Sequence, residues 1–151
     1  EAFFAARKAV APEAIFGNNS AADLLAVAEH LLEGEILVRE GQVDDGLREL
    51  RAAAEREDQL RYDEPPDWIQ PIRHALGAAL MQAGRFAEAE KVYREDLKRI
   101  PDNGWSLFGL ARSLRLQKKD AEAADQEARF QRIWSGADVK LSSSCFCQPG
   151  V

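Results

Sequence analysis

Cysteine and histidine each occur only twice in the 151 residues, and methionine once. Cys145 and Cys147 sit together near the end of the chain. They cannot staple a core, so they do not indicate a redox compartment. His30 and His74 lie far apart, and neither belongs to a His-x-x-x-His pair of the kind that ligates zinc. There is no glycine-rich phosphate loop and no serine in a Gly-x-Ser-x-Gly turn. No apolar run is long enough to span a bilayer, which excludes membrane insertion by a helix. Basic residues are outnumbered, 20 Lys and Arg against 26 Asp and Glu, for a net charge of −6. A general nucleic-acid binder needs clustered positive charge facing phosphate, so that class is disfavoured. β-Branched residues are also sparse, which argues against a strand-rich fold.

Alanine and leucine fill the apolar positions instead, and both lose little on entering a helix. The length suits one domain with a real core. A short helix is expected over roughly Ala2 to Ala11, ended by Pro12 and "FGNNS". Ser20 is a good N-cap, with Asp23 in the capping-box place. From there "AADLLAVAEHLLEGEILVRE" has helical spacing and stops at Gly41. A second helix follows from about Asp44. Three further pieces read as "WIQPIRHALGAALMQA", "AEAEKVYREDLKRI" and "WSLFGLARSLRLQK", the last capped by Asn103. A final helix runs from "AEAADQ" to about Trp134. The fold class is therefore all-α, with no sheet. The opening "EAFFAARKAV" reads as the middle of a helix, so a fragment or processed product is expected, with export or cytoplasmic residence both open.

The helices come in pairs, and the pairs repeat. Gly34, Gly77 and Ala111 align, as do Leu37, Leu80 and Leu114, and then Gly41, Gly84 and Lys118. The small residues Gly46, Ala89 and Ala123 follow at the same offset, and then Leu50, Tyr93 and Glu127. The middle and third units are about 34 residues apart, and the first is about nine more from the middle. With Leu76, Gly77, Ala89, Tyr93 and Pro101, the middle unit resembles a tetratricopeptide repeat. It departs from that motif at Arg73 and Leu80. The outer units match less well. The resemblance covers roughly Val27 to Gly136 and is specific for fold, not for function. Together with "YDEPPDW…P…R…LGAAL", "NGWSLFGLARSLR" and "ADV", it resembles the C-terminal portion of a longer bacterial subgroup, some members of which are exported. It implies three helix pairs, about 21–60, 67–101 and 103–136, stacked as a short right-handed superhelix. Residues 1–20 would be a remnant of a preceding repeat, and 137–151 an extended tail.

The stretch "YDEPPDWIQP" is then an insertion, 61–71, at the seam between two repeats. Pro65 and Pro66 forbid a helix there. Asp67 is expected to cap the next helix, with Pro71 in its first turn. Tyr62 and Trp68 are expected to pack over the seam. Asp63, Glu64 and Asp67 suggest an acid pair or a calcium loop, but their spacing fits no EF-hand and the prolines favour a rigid connector.

Two places remain for function. The resemblance implies that the first helix of each pair lines a concave face. That face would carry His74, Met81, Trp105, Phe108, Arg112 and Arg115, an aromatic and arginine set able to hold an extended, acidic peptide. The opposing expectation is that Trp105 and Phe108 are buried against the C-terminal segment. The other place is the Cys145–Cys147 pair, which as thiolates would suit copper(I) or half of a zinc site. The first reading, a non-catalytic scaffold for a protein or peptide partner, leads. Metal handling is the alternative.

Overall fold

The computed structural model describes residues 1–147; the tail's last residues, 148–151, lie outside the described residues. Among the described residues seven α-helices account for nearly all regular structure: α1 (Ala2–Lys8), α2 (Ala21–Arg39), α3 (Val43–Asp58), α4 (Ile72–Gln82), α5 (Phe86–Arg99), α6 (Gly104–Leu116) and α7 (Asp120–Ile133). The all-α class holds with one small exception. Ile15–Phe16 (β1) and Asn19–Ser20 (β2) pair as an antiparallel hairpin in place of the expected loop. Two compact units are resolved, Glu1–Ile72 and the part from Arg73 onward.

The turns within the three helix pairs are built alike. Gly41, Gly84 and Lys118 have φ of 84°, 71° and 61°. The residue after each donates its N–H to a leucine carbonyl five residues back: Gln42 to Leu37, Arg85 to Leu80 and Lys119 to Leu114, at 2.9, 2.9 and 3.0 Å. The left-handed residues themselves bond to Val38, Met81 and Arg115. This is the Schellman pattern, which satisfies carbonyls that a helix end otherwise leaves open. A left-handed residue costs glycine little, whereas Lys118 pays the Cβ clash.

In the first unit, α2 begins at its expected cap: Ser20 Oγ accepts the Asp23 N–H at 3.0 Å. The α2 and α3 backbones cross closely. A Cβ on Gly46 would lie 2.7 Å from the Gly34 carbonyl oxygen, and one on Gly34 would lie 2.8 Å from Leu50. Below that crossing, Val27, Ala53, Ala54 and Ile72 form a core, with Leu31, Leu60 and Trp68 packed against it. A buried aliphatic side chain contributes about 1.5–3 kcal/mol, so packing rather than propensity holds the pair together.

The connector departs from expectation in three ways. Helix α4 starts at Ile72, not at Trp68, because Pro71 keeps Gln70 out of the helical region; Glu57 Oε2 accepts the Ile72 N–H at 3.1 Å. Asp67 caps nothing in α4. It accepts from Asn18 N–H at 3.1 Å and Asn19 Nδ2 at 2.8 Å, and so clamps the hairpin. Buried Asn19 completes the clamp by donating to the Arg61 carbonyl and accepting the Arg61 N–H. Finally, Trp68 packs against the core of the first unit, whereas Tyr62 is 78% exposed and bonds Glu64.

In the second unit, Tyr93 of α5 is fully buried between α4 and α6. Gly77 and Gly109 face its ring, and a Cβ on either would approach a ring carbon to 2.3 Å. Both helices therefore come as close as they do only because these positions carry no side chain. After the 3-10 turn Trp134–Gly136, the described residues 137–147 have only bends and turns. They do not run free as an extended tail. Ser143 and Ser144 are buried, at 7% and 3% exposure, because the segment folds back onto the helices of its own unit.

Candidate functional site

The candidate site is the face of the second unit on which residues 139–147 rest. It is assembled from α4, α5 and α6. Trp134 starts the segment on its course by donating Nε1–H to the Val139 carbonyl at 2.7 Å. Trp134 is itself seated over Gly104, where a Cβ would meet its ring at 2.5 Å. Arg112 then donates from Nη1 to the Ser142 carbonyl at 3.2 Å. Its guanidinium also lies over the Phe108 ring, 5.5 Å from the centroid, in a cation–π contact.

Ser144 sits deepest. Its hydroxyl lies 2.7 Å from the Tyr93 hydroxyl and donates to the His74 carbonyl at 3.3 Å. A serine has one proton to give, so Tyr93 is the donor to Ser144. Burial pushes the Tyr93 phenol well above its ordinary range, which keeps that donor protonated. At the far end Phe146 meets Trp105 at 4.4 Å between ring centroids. Trp105 in turn lies against Trp134 and His74. A small cavity of about 20 Å³ remains beside the segment, lined in part by Ala78, Met81 and Gly109.

Beneath Trp105 lies a buried polar network. Asn103 caps α6 by accepting the Trp105 N–H at 3.2 Å. Its amide nitrogen donates to His74 Nε2 at 2.6 Å and to Asp96 Oδ2 at 2.7 Å. Asp96, only 2% exposed, also accepts from Ser106 Oγ at 2.6 Å. Desolvation lowers the His74 pKa, opposed by the Asp96 charge. A neutral imidazole fits the geometry, because Nε2 accepts the hydrogen bond of the Asn103 amide. Serine, histidine and aspartate are all present, but the wiring is not that of a nucleophile. Ser106 gives its proton to Asp96 and not to His74, and it is fully buried. The network positions the start of α6, and with it Trp105.

Of the six groove residues named from sequence, the structure brings five together here: His74, Met81, Trp105, Phe108 and Arg112. Arg115 is turned away, to Glu127 at 2.7 Å and Asp120 at 3.0 Å. Trp105 and Phe108 are half-buried, Trp105 against Phe146 and Phe108 against Phe130. The sequence reading did not assign Tyr93, Asp96, Asn103 or Ser142–Ser144 to the site. Paired glycines around an aromatic were the available signal for Tyr93, whereas a serine run gives no sign of burial. Cys145 and Cys147 form a disulfide, so in this state the pair offers no thiolate to copper or zinc. His30 belongs to the first unit and lies 2.7 Å from Glu49.

Searches against protein-family models, curated proteins and solved structures each find no match. The site therefore has to be interpreted from its own chemistry.

Proposed function

We propose that the chain is a non-catalytic scaffold of the tetratricopeptide type, and that the α4–α6 face of its second unit binds a peptide segment of a partner protein. Two features support the scaffold reading. The helix pairs share one turn geometry at the repeat spacing, and small residues stand at the crossings in the first two pairs. The observation that carries the binding reading is the seating of Ser142–Phe146. A segment with no regular structure is held by a guanidinium on a main-chain carbonyl, by a buried hydroxyl pair and by an aromatic contact. Those are the contacts by which a surface holds an irregular peptide: main-chain bonds give affinity and pockets give selectivity. Aromatic and arginine side chains also dominate binding hot spots.

Panning a displayed random-peptide library on the full chain, and on its Phe146→Ala variant, tests the reading. Selected peptides should lose roughly tenfold or more in affinity when Arg112 becomes alanine, since a hydrogen bond from a charged donor contributes about 1.5–3 kcal/mol. Trp105→Ala should cost as much. Peptides that bind both substituted chains undiminished would place binding elsewhere and overturn the assignment of this face.

A further inference from the structure

We infer that the α4–α6 face selects a particular peptide chemistry, a small hydroxyl residue followed two positions later by an aromatic, and that Ser144 and Phe146 are its built-in occupant. The inference rests on the peptide-binding reading above and adds to it the partner's chemistry and a tethered competitor. Three contacts define the specificity. At the Ser144 position the face presents a phenol donor, Tyr93, and a carbonyl acceptor, that of His74. A hydroxyl satisfies both at once, whereas an aliphatic side chain leaves a buried phenol unpaired, which is costly. The position also demands a small residue, because Tyr93 is wedged against Gly109 and has little room to retreat. The nearby cavity of about 20 Å³ is on the scale of one water, which leaves room for the extra methyl of threonine. At the Phe146 position the Trp105 ring lies 4.4 Å away between centroids, tilted by 58°, so the aromatic rests against one ring and stays 74% exposed; Trp105 is backed by Trp134 and by the Asn103 cap. Two residues ahead of the first anchor, Arg112 reads only a backbone carbonyl, that of Ser142, and so contributes affinity without sequence preference.

Tethering makes the occupant a competitor. A short linker gives an effective concentration on the order of 1 mM. If the isolated segment binds with a Kd of about 0.1 mM, the tether weakens an incoming peptide roughly tenfold. The experiment uses the full chain and two full-length variants, Ser144→Glu and Phe146→Ala. The first sets a carboxylate against the buried phenol, and the second removes the aromatic anchor. The probe is a fluorescein-labelled peptide of residues 139–147, VKLSSSCFC, closed by its own disulfide. Fluorescence anisotropy should show it binding each variant about tenfold more tightly than the parent. Probe peptides carrying Ser144→Leu or Phe146→Ala should bind the variants about tenfold more weakly than the unaltered probe. Equal affinity of the probe for all three chains would overturn the inference, as would indifference to the probe's hydroxyl and aromatic. If displayed peptides depend on Arg112 but share no hydroxyl-x-aromatic pattern, this inference fails while the peptide-binding reading stands. If no peptide depends on Arg112, both fail.

Discussion

Adding one methyl group at Gly109 should unfold the second unit more easily, although alanine is the better helix former. Gly109 lies in the interior of α6, so propensity alone predicts that alanine stabilises by about 0.8–1 kcal/mol. Packing predicts the opposite. The new Cβ would lie 2.3 Å from one carbon of the Tyr93 ring and 2.6 Å from another, well inside the 3.4–4 Å of ordinary contact. The ring has little room to move away, because Gly77 flanks it as well: a Cβ there would also come within 2.3 Å of a ring carbon. Relief must then come from separating helices, and overpacking a core costs about 1–3 kcal/mol. With the ring flanked by both glycines, the upper end applies, and the net destabilisation is about 2 kcal/mol after the propensity gain. Urea unfolding followed by circular dichroism measures it. The double variant Gly109→Ala with Tyr93→Leu should be less destabilised than the sum of the single changes by at least about 1 kcal/mol, since the shorter side chain vacates the space. A Gly109→Ala protein more stable than the parent would refute the packing account. Strict additivity of the two changes would refute the claim that Tyr93 is what the methyl meets.

Lys118 holds the left-handed turn position at which the other two pairs have glycine, so Lys118→Gly should stabilise by about 0.5–1 kcal/mol, and Gly84→Ala should destabilise by about 1 kcal/mol. A melting curve reads either as a shift of about 2–4 °C per kcal/mol, and a fall in Tm for Lys118→Gly would contradict the turn assignment. His74 gives a pH dependence. Its folded pKa is lowered from 6.5, so the unfolded chain binds the extra proton first as pH falls below 6.5, and stability declines on acidification through that window. Denaturation at about pH 7.5 and about pH 5.5 should show a smaller loss for His74→Gln than for the parent, and equal losses would show that His74 takes no part.

Local chemistry made much of the helical plan legible. Ser20 and Asn103 announce helix starts because a side-chain oxygen there accepts an N–H two or three residues on, within the same turn. Gly41 and Gly84 announce helix ends because the left-handed residue is needed within a few residues of the last leucine. Small residues at a fixed spacing from Leu50 and Tyr93 announce close helix crossings in the first two pairs, since backbones can approach only there. These signals are short-range, so the order of residues carries them.

Long-range placement was legible only in the tertiary structure. Asp67 has the same composition around it whether it caps a helix or clamps a hairpin, and partners 48 and 49 residues away decide between them. Arg112 and Arg115 lie three residues apart on one helix, yet one meets the tail carbonyl while the other is drawn to Glu127 on α7. The serine run was the hardest to read. Small polar residues without a period signal exposure, because burying a hydroxyl is unfavourable unless a partner waits for it. For Ser144 that partner is Tyr93, 51 residues back in the chain, and packing between two glycines is what places its phenol beside Ser144.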